Sequence, residues 1–404
     1  MRGPLDGIRV LDWTIWQQGP VCSAMLGDLG AEVIKIESRD GGDPGRGLLR
    51  MSGLDLGARP NFYFEANNRN KKSIALDLKK PAAREVVYRL AAVSDVFVQN
   101  FRQGVAARLE LDAAALRRRN PKLVYASASG YGPRGPDAGE PSFDHLGLAR
   151  SGIMLAAGEP EMPPLAIAGG VADQMGAIML AYGVLAALLA RERLGVGQDV
   201  DASHLGSMLM LQGLSVSAKL MMGFAIPRLA RKRAGNPLWN HYCCADGKWL
   251  ALAMLQPDRY WVHFARAIGR PELATDPRFA DLRARAQNAE ACVALLDEAF
   301  GERPRAEWLR VLRDSPGDFI FTVVNSVDEL VDDPQVRAND YVVDFEHPSF
   351  GKTAMIGMPV RLSETPGGIR SPAPEFGQHT EQLLTDLLGY SWDEVAALRA
   401  DEVI

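Results

Sequence analysis

Between Ile8 and Ser127, short runs of β-branched and large apolar residues alternate with segments whose apolar positions recur every three or four residues. Ile8–Trp13, Ala31–Ile36, Ser73–Leu78, Asp95–Gln99 and Leu123–Ser127 read as strands, and Pro20–Leu29, Pro81–Val93 and Val105–Asn120 as helices. Pro20 stands near the start of its helix and Gly30 follows its end, the usual asymmetry of helix termini. Strands alternating with helices of this length predict βαβ units around a Rossmann-like parallel sheet. Right-handed crossovers between parallel strands put helices on both faces.

The pattern changes after residue 130. A Gly/Pro-rich loop, Gly130–Pro141, precedes two long helical segments, Val171–Glu192 and Ser203–Phe224, with a short strand candidate at Asp199–Asp201 between them. Arg228, Arg231, Lys232 and Arg233 form a basic patch ending at Gly235-Asn236-Pro237, a boundary signal. Beyond it, His241–Ala245 and Lys248–Ala253 flank Asp246-Gly247, a strong hairpin turn. Helices over Asp258–Ile268, Asn288–Phe300 and Arg305–Arg313 then complete a small α+β domain. The last stretch has extended segments, a Gly/Pro-rich loop at Pro366–Gly377 and closing helices over Thr380–Leu388 and Trp392–Ala400. The expected organisation is a large α/β domain over 1–203, a helical linker over 204–232, the small domain over 233–325 and a C-terminal segment over 326–404 that returns to the large domain.

Composition narrows the class. The 404 residues suggest two or three domains, and 47% hydrophobic with 24% charged residues is the balance of a globular protein. With 45 Lys and Arg against 50 Asp and Glu, the net charge of −5 excludes a generally basic nucleic-acid surface but not a basic pocket for a phosphorylated small molecule. Four cysteines, with no C-x-x-C pair, predict neither a disulfide framework nor a metal site, and six scattered histidines add none. The apolar stretch Met175–Ala190 falls about one turn short of a membrane span and is closed by Arg191, Glu192 and Arg193, so a buried core helix is expected. The opening residues run into a strand with no apolar leader, which predicts a cytoplasmic chain with no membrane partner.

Gly130-Tyr131-Gly132-Pro133-Arg134-Gly135 spells G-x-G-x-x-G after a strand, but a dinucleotide fingerprint must open a helix, and Pro133 and Pro136 continue the loop. Walker, His-Glu-x-x-His and Gly-x-Ser-x-Gly motifs do not occur. The more informative segment is Gly169-Gly170-Val171-Ala172-Asp173, leading into the apolar helix. Asp173 has two readings: a carboxylate that caps or complements the helix dipole, or a nucleophile beside glycines, with free helix N–H groups to hold an oxyanion.

Several segments together resemble the family III CoA-transferases, which include formyl-CoA:oxalate, carnitine and bile-acid CoA-transferases and α-methylacyl-CoA racemase. They are Pro4–Asp12 with Gly19-Pro20, Leu29–Glu37 with Gly42-Asp43, Asn68–Lys79, Asn100-Phe101 with Arg108, Gly169–Asp173, Gly235-Asn236, Asp246-Gly247 and Gly377–Thr380. The resemblance covers nearly the whole chain, in order. It implies the family's interlocked-dimer fold, a homodimer in which each chain passes through the other, and coenzyme A as part of the substrate with no metal. Asp173 corresponds to the nucleophile that forms an acyl-aspartyl anhydride and then an aspartyl-CoA thioester, with Gln17 near the reacting centre. An Asp with a reference pKa of about 3.9 is already ionised at neutral pH and needs no separate base. Arg39, Lys79 and Arg108 match or nearly match CoA-contacting positions, and Leu76, Asn100 and Phe101 lie in neighbouring matched segments. Arg39 stands one residue beyond the expected basic position, which is Ser38 here.

The family's racemases carry a His directly before an Asp, supplying an acid/base pair across the substrate α-carbon. Here the segment reads Pro141-Ser142-Phe143-Asp144-His145, with Phe143 at that position. This departure favours transfer over an α-methylacyl-CoA racemase-like isomerase; a CoA-binding protein without turnover is the remaining alternative. Asp144 matches an acidic position near the transferase site, or caps a helix or turn. Met208, Met210, Met221 and Met222 either line an acyl pocket or fill the core. Trp239, Tyr242, Trp249, Tyr260 and Trp261 are expected in a core or interface.

Overall fold

A computed structural model describes residues 3–48 and 59–404. Six parallel strands, β1 (Arg9–Trp13), β2 (Glu32–Ser38), β3 (Lys71–Leu76), β4 (Val96–Gln99), β5 (Val124–Ser129) and β6 (Asp199–Ser203), form one sheet in the order β3-β2-β1-β4-β5-β6. This is the doubly wound order, with its switch point between β1 and β4. Besides the single turns Val105–Arg108 and Ile153–Ala156, the helices of this stretch include α1 (Gln18–Asp28), α2 (Phe62–Asn68), α3 (Pro81–Ala92), α4 (Ala113–Arg117), α5 (Asp144–Ser151), α6 (Val171–Leu194), α7 (His204–Leu211) and α8 (Gly213–Met222).

Successive side chains of a strand point to opposite faces, and the apolar residues sort accordingly. Leu11, Ile34, Ile74 and Phe97 pack with Val86, Val87 and Leu90 of α3, whereas Val10, Val33, Val96 and Val124 pack with Leu26 of α1 and Leu180 and Val184 of α6. Helix α6 runs for 24 residues, longer than the apolar stretch within it, and is long and apolar enough to cross a membrane by length and composition alone. One side of it is packed against α1, β5 and β6, while Ile178, Tyr182 and Leu189 on the other side are exposed.

The helical segment expected over Ser203–Phe224 is two helices, bent by 78° where α7 meets α8. Gln212 stands at the break, and its side-chain amide donates to the carbonyls of Ser151 and Met208. The helix expected over Val105–Asn120 is also interrupted: Glu110 adopts a φ of 57°, and Asp112 starts α4 by accepting from the Ala115 amide.

The chain divides into two compact units, one of Met1–Met154, Ala166–Ala225 and Arg337–Ile404, the other of Leu155–Leu165 and Ile226–Val336. Residues 204–225 therefore belong to the larger unit instead of forming a linker, because α7 buries His204, Ser207 and Met208 while packing on α5 and α6. Residues 155–165 join the smaller unit, where Glu159 accepts from the Arg231 amide and the Met162 carbonyl from Arg228.

In the smaller unit, β7 (Trp239–Cys243), β8 (Trp249–Ala253) and β9 (Phe321–Val324) form an antiparallel sheet, with Gly247 at a φ of 73° in the turn between β7 and β8. Helices α9 (Asp258–Ala267), α10 (Ala289–Phe300) and α11 (Arg305–Asp314) cover a core that includes Tyr242, Tyr260, Trp261, Phe264 and Trp308. Trp239 is exposed and Trp249 half-buried, so the aromatic residues are divided between core and surface.

Of the C-terminal segment expected over 326–404, residues 326–336 stay with the smaller unit and Arg337–Ile404 belong to the larger one, where they hold an antiparallel hairpin, β10 (Val342–His347) and β11 (Gly351–Ile356), and α12 (Trp392–Ala400). Between them, Gly377–Thr380 closes the open edge of β3: the Ser73 carbonyl accepts from the His379 amide, the Ser73 amide donates to His379 Nδ1, and the Ala75 amide donates to Thr380 Oγ1. Covering an edge strand satisfies backbone groups that would otherwise template aggregation.

Candidate active site

The larger unit's candidate chemistry gathers where parallel strands end, the usual ligand position in such sheets. The loop after β1 is clamped across the switch point by Asn100 beyond β4, whose side-chain oxygen accepts from the Ile15 amide at 2.9 Å while its Nδ2 donates to the Ile15 carbonyl at 2.7 Å. The next residue, Trp16, holds a φ of 67°, unusual for a bulky side chain, and its amide donates to Asp43 Oδ1 at 3.1 Å.

Beneath this loop lies a buried layer of charge. Asp12 sits directly opposite Lys35, and Lys35 opposite Ser73, along the sheet. Lys71 Nζ lies 2.7 Å from Asp12 Oδ2 and also donates to the Pro20 carbonyl and Asn68, while Lys35 Nζ lies 2.9 Å from Asp43 Oδ2 and donates to the Thr14 carbonyl. Thr14 and Ser23 hydroxyls donate to Asp12. Burial pushes the Asp12 carboxyl up, but Lys35 and Lys71 overcome this and hold it at about 2. Burial acts most strongly on Lys71, pulling it down to about 8 against the pull of Asp12. The ions therefore fix β1, β2 and β3 to the loop that carries Trp16 and Gln17.

Asp173 stands in the first turn of α6. Gly169 and Gly170 precede it with φ of 100° and 70°, the left-handed region that glycine enters without strain. A Cβ at Gly170 would lie 2.4 Å from Gln17 Nε2, so glycine there is what lets the Gln17 amide reach the start of the helix. Asp144, opening α5, accepts from the amides of Ala172 at 2.6 Å and Asp173 at 3.2 Å. The first-turn N–H groups expected to be free for an oxyanion include two that are already held by a carboxylate, and Asp144 is a cap across helices.

Two further residues were not found from the sequence. His204 Nε2 lies 2.8 Å from Asp173 Oδ1, and its Nδ1 lies 3.2 Å from Ser142 Oγ. A carboxylate can only accept, so Nε2 carries the hydrogen, and in the neutral ring Nδ1 then accepts from the serine hydroxyl. Tyr63 of α2 feels the site electrostatically: burial first, then the charges of Asp173 and Asp43, push its phenol up, so it stays a donor.

The expected CoA contacts are more dispersed. Lys79 and Arg108 are exposed beyond the ends of β3 and β4. Arg39 follows β2, but its guanidinium donates to the Ile404 carbonyl and lies 3.7 Å from Glu402, so it is tied to the C-terminus. Leu76 is fully buried in the core and its carbonyl accepts from the Arg39 amide, so it does not face a ligand. Phe101 packs on Trp13 with ring centroids 4.2 Å apart, and Asn100 spends both ends of its amide on Ile15. Met208 is buried beside Leu148 and Ala172, whereas Met210, Met221 and Met222 are exposed.

Phe143 stacks edge-on to Trp16 and His145 is exposed. His204 and Asp173 touch one another, leaving no room for a substrate α-carbon between acid and base, so they do not replace the racemase pair. Among the described residues, no group of three His, Cys, Asp or Glu side chains could hold a metal ion.

A family model for CoA-transferase family III matches residues 5–380. A succinyl-CoA–D-citramalate CoA-transferase of Chloroflexus aurantiacus is 36% identical, over 99% of this chain and 98% of that protein. A formyl-CoA:oxalate CoA-transferase of Streptomyces coelicolor is 32% identical over 99% of both chains. An (R)-2-hydroxy-4-methylpentanoate CoA-transferase of Clostridioides difficile is 30% identical over 99% of both. Among solved structures, a CaiB/BaiF family protein from Brucella suis superposes with a TM-score of 0.86 at 29% identity, covering 96% of this chain and all of that one. With this sheet order, the match along the chain and these relatives in agreement, the chain belongs to CoA-transferase family III and is a CoA-transferase.

Proposed function

We propose that the protein moves CoA from an acyl-CoA donor to a free carboxylic acid, with Asp173 as the covalent carrier. The carboxylate attacks the donor thioester carbonyl, the C–S bond breaks, and an acyl-aspartyl anhydride and CoA thiolate result. The thiolate then attacks the aspartyl carbonyl and releases the donor acid, leaving CoA as a thioester on Asp173. The acceptor carboxylate repeats the steps in reverse. The observation that carries this reading is a carboxylate in the first turn of a glycine-opened helix, whose start Gln17 reaches at Gly170, bonded through one oxygen to His204.

The similar transferases named for succinyl-CoA and formyl-CoA, acting with oxalate, citramalate or a branched 2-hydroxy acid, support a small carboxylic acid as acceptor. Lys79 and Arg108, exposed past the strand ends, suit the CoA phosphates, with Arg39 available if the C-terminus releases it. A homodimer is supported by apolar side chains turned outward on α8, with Leu214 81%, Leu220 79% and Met221 82% exposed. We place the enzyme in the cytoplasm.

The test offers succinyl-CoA, acetyl-CoA and formyl-CoA with a panel of di- and 2-hydroxy-carboxylic acids, reading new thioesters by mass. The parent should form them and carry CoA on Asp173. Asp173→Ala should lose transfer by at least about 10⁴-fold while remaining folded. Undiminished transfer by Asp173→Ala would overturn the mechanism.

A further inference from the structure

His204 lies 31 residues from Asp173 in the chain and reaches it through the packing of α7 on α6. The contact is built from several sides. A Cβ at Gly147 would come within 2.9 Å of His204 Cβ and 2.8 Å of Ala172 Cβ, so glycine there is what lets α5 close on the histidine. A Cβ at Gly130 would meet Ser142 Cβ at 2.2 Å, and the Gly130 carbonyl accepts from the Leu205 amide, one residue from His204. The glycine that opens the misleading G-x-G-x-x-G is thus the one that admits Ser142 to the imidazole. His204 is buried, and both its ring nitrogens have partners.

Resting on the Asp173 nucleophile, we propose that the Ser142–His204 pair is the oxyanion donor for the aspartyl carbonyl. Ser142 accepts no role in bond making; its hydroxyl holds Nδ1 unprotonated, so that the hydrogen stays on Nε2 and points at Oδ1. With Oδ1 held, Oδ2 is the oxygen that attacks the donor thioester and becomes the bridging oxygen of the anhydride. When CoA thiolate adds to Asp173 Cγ, the C=O electron pair moves onto Oδ1, where the His204 N–H meets it. The pair returns as the C–Oδ2 bond breaks and the donor acid leaves as a carboxylate. No proton is transferred at any point. The same N–H serves when the acceptor carboxylate attacks the thioester. It does not serve the first attack, whose oxyanion forms on the donor's acyl oxygen.

That asymmetry is the test. With acyl-CoA and no acceptor, free CoA thiol released by the first attack is followed by a thiol reagent, and CoA bound to Asp173 by intact mass after rapid quench. His204→Leu should release thiol at a rate within a few-fold of the parent, but form the CoA adduct about 10²–10³-fold more slowly, the usual effect of losing one oxyanion donor. The donor concentration that half-saturates the rate of the first step should be unchanged. His204→Gln, which restores an N–H, should recover adduct formation to within about tenfold of the parent, and Ser142→Ala should slow the second step alone by about tenfold. Adduct formation by His204→Leu within about threefold of the parent overturns the proposal. So does an equal fall in both steps, which marks a structural role. If the Leu variant does not fold, Ser142→Ala decides: slowing confined to the second step supports the proposal and unchanged rates overturn it. A parent that forms neither free thiol nor adduct overturns the Asp173 reading beneath it, which separates the two failures.

Discussion

On one face of the parallel sheet, Leu11, Ile34, Ile74 and Phe97 meet α3 through apolar contact throughout. On the other, Val10 and Val33 give way two residues later to Asp12 and Lys35, with Glu37, Lys71 and Ser73 alongside them, all buried. The first face does what close packing does best, removing hydrocarbon from water with little directional demand. The second takes on the desolvation of several ions, which close packing would avoid. The difference coincides with the site: Lys35 holds Thr14 and Asp43, Asp43 holds Trp16, and Gln17 follows. Directional bonds hold a strained loop in one geometry, which apolar contact does less sharply.

The largest effect expected from breaking this division comes on the ionic face. Lys71→Met removes one partner of a buried pair and should cost about 3–5 kcal/mol in denaturant unfolding. The turnover of whatever protein remains folded should fall as well, because the loop loses its anchor. Leu90→Ala on the opposite face should cost a comparable or smaller ~2–5 kcal/mol, yet leave kcat and KM unchanged. Equal kinetic damage from both substitutions would show that the two faces do not divide stability from positioning.

A smaller effect sharpens the same contrast through pH. Asp12 is held at about 2 in the folded chain against 3.8 for the ordinary carboxyl. Its contribution, about 2 kcal/mol, is therefore fully present above about pH 4, and is lost as the pH falls through 4 towards 2, where the unfolded chain takes up its proton first. In Lys71→Met the burial of Asp12 is no longer offset by its nearest cation, so the acid loss of stability should begin at higher pH. Leu90→Ala should keep the parent's acid midpoint relative to its own stability at neutral pH. Unfolding curves taken between pH 2 and 7 check all three.

Much of the larger unit was legible because its signals are local. The short apolar runs within Arg9–Trp13 and Glu32–Ser38, and the Pro and Gly near the two ends of α1, required no tertiary information. Asp173 stood out by its glycines. The break between α7 and α8 was hidden because Met, Leu and Ser continue on both sides of it, and the deciding bond runs from Gln212 to Ser151, 61 residues away. His204 was hidden for the same reason. A lone histidine in an apolar run carries no label, although Gly130 and Gly147 are traces of the close approaches that place it.

The strands, the helices that separate them and the carboxylate at the start of α6 were all readable along the chain, since each follows from backbone preference and the burial of apolar positions. What that carboxylate touches depends instead on contacts between distant segments. Asp144 arrives from 29 residues before it and His204 from 31 residues after, and each is set by how α5, α6 and α7 cross. A hydrogen bond depends on position to within tenths of an ångström, whereas patterning constrains only which side of an element faces the core.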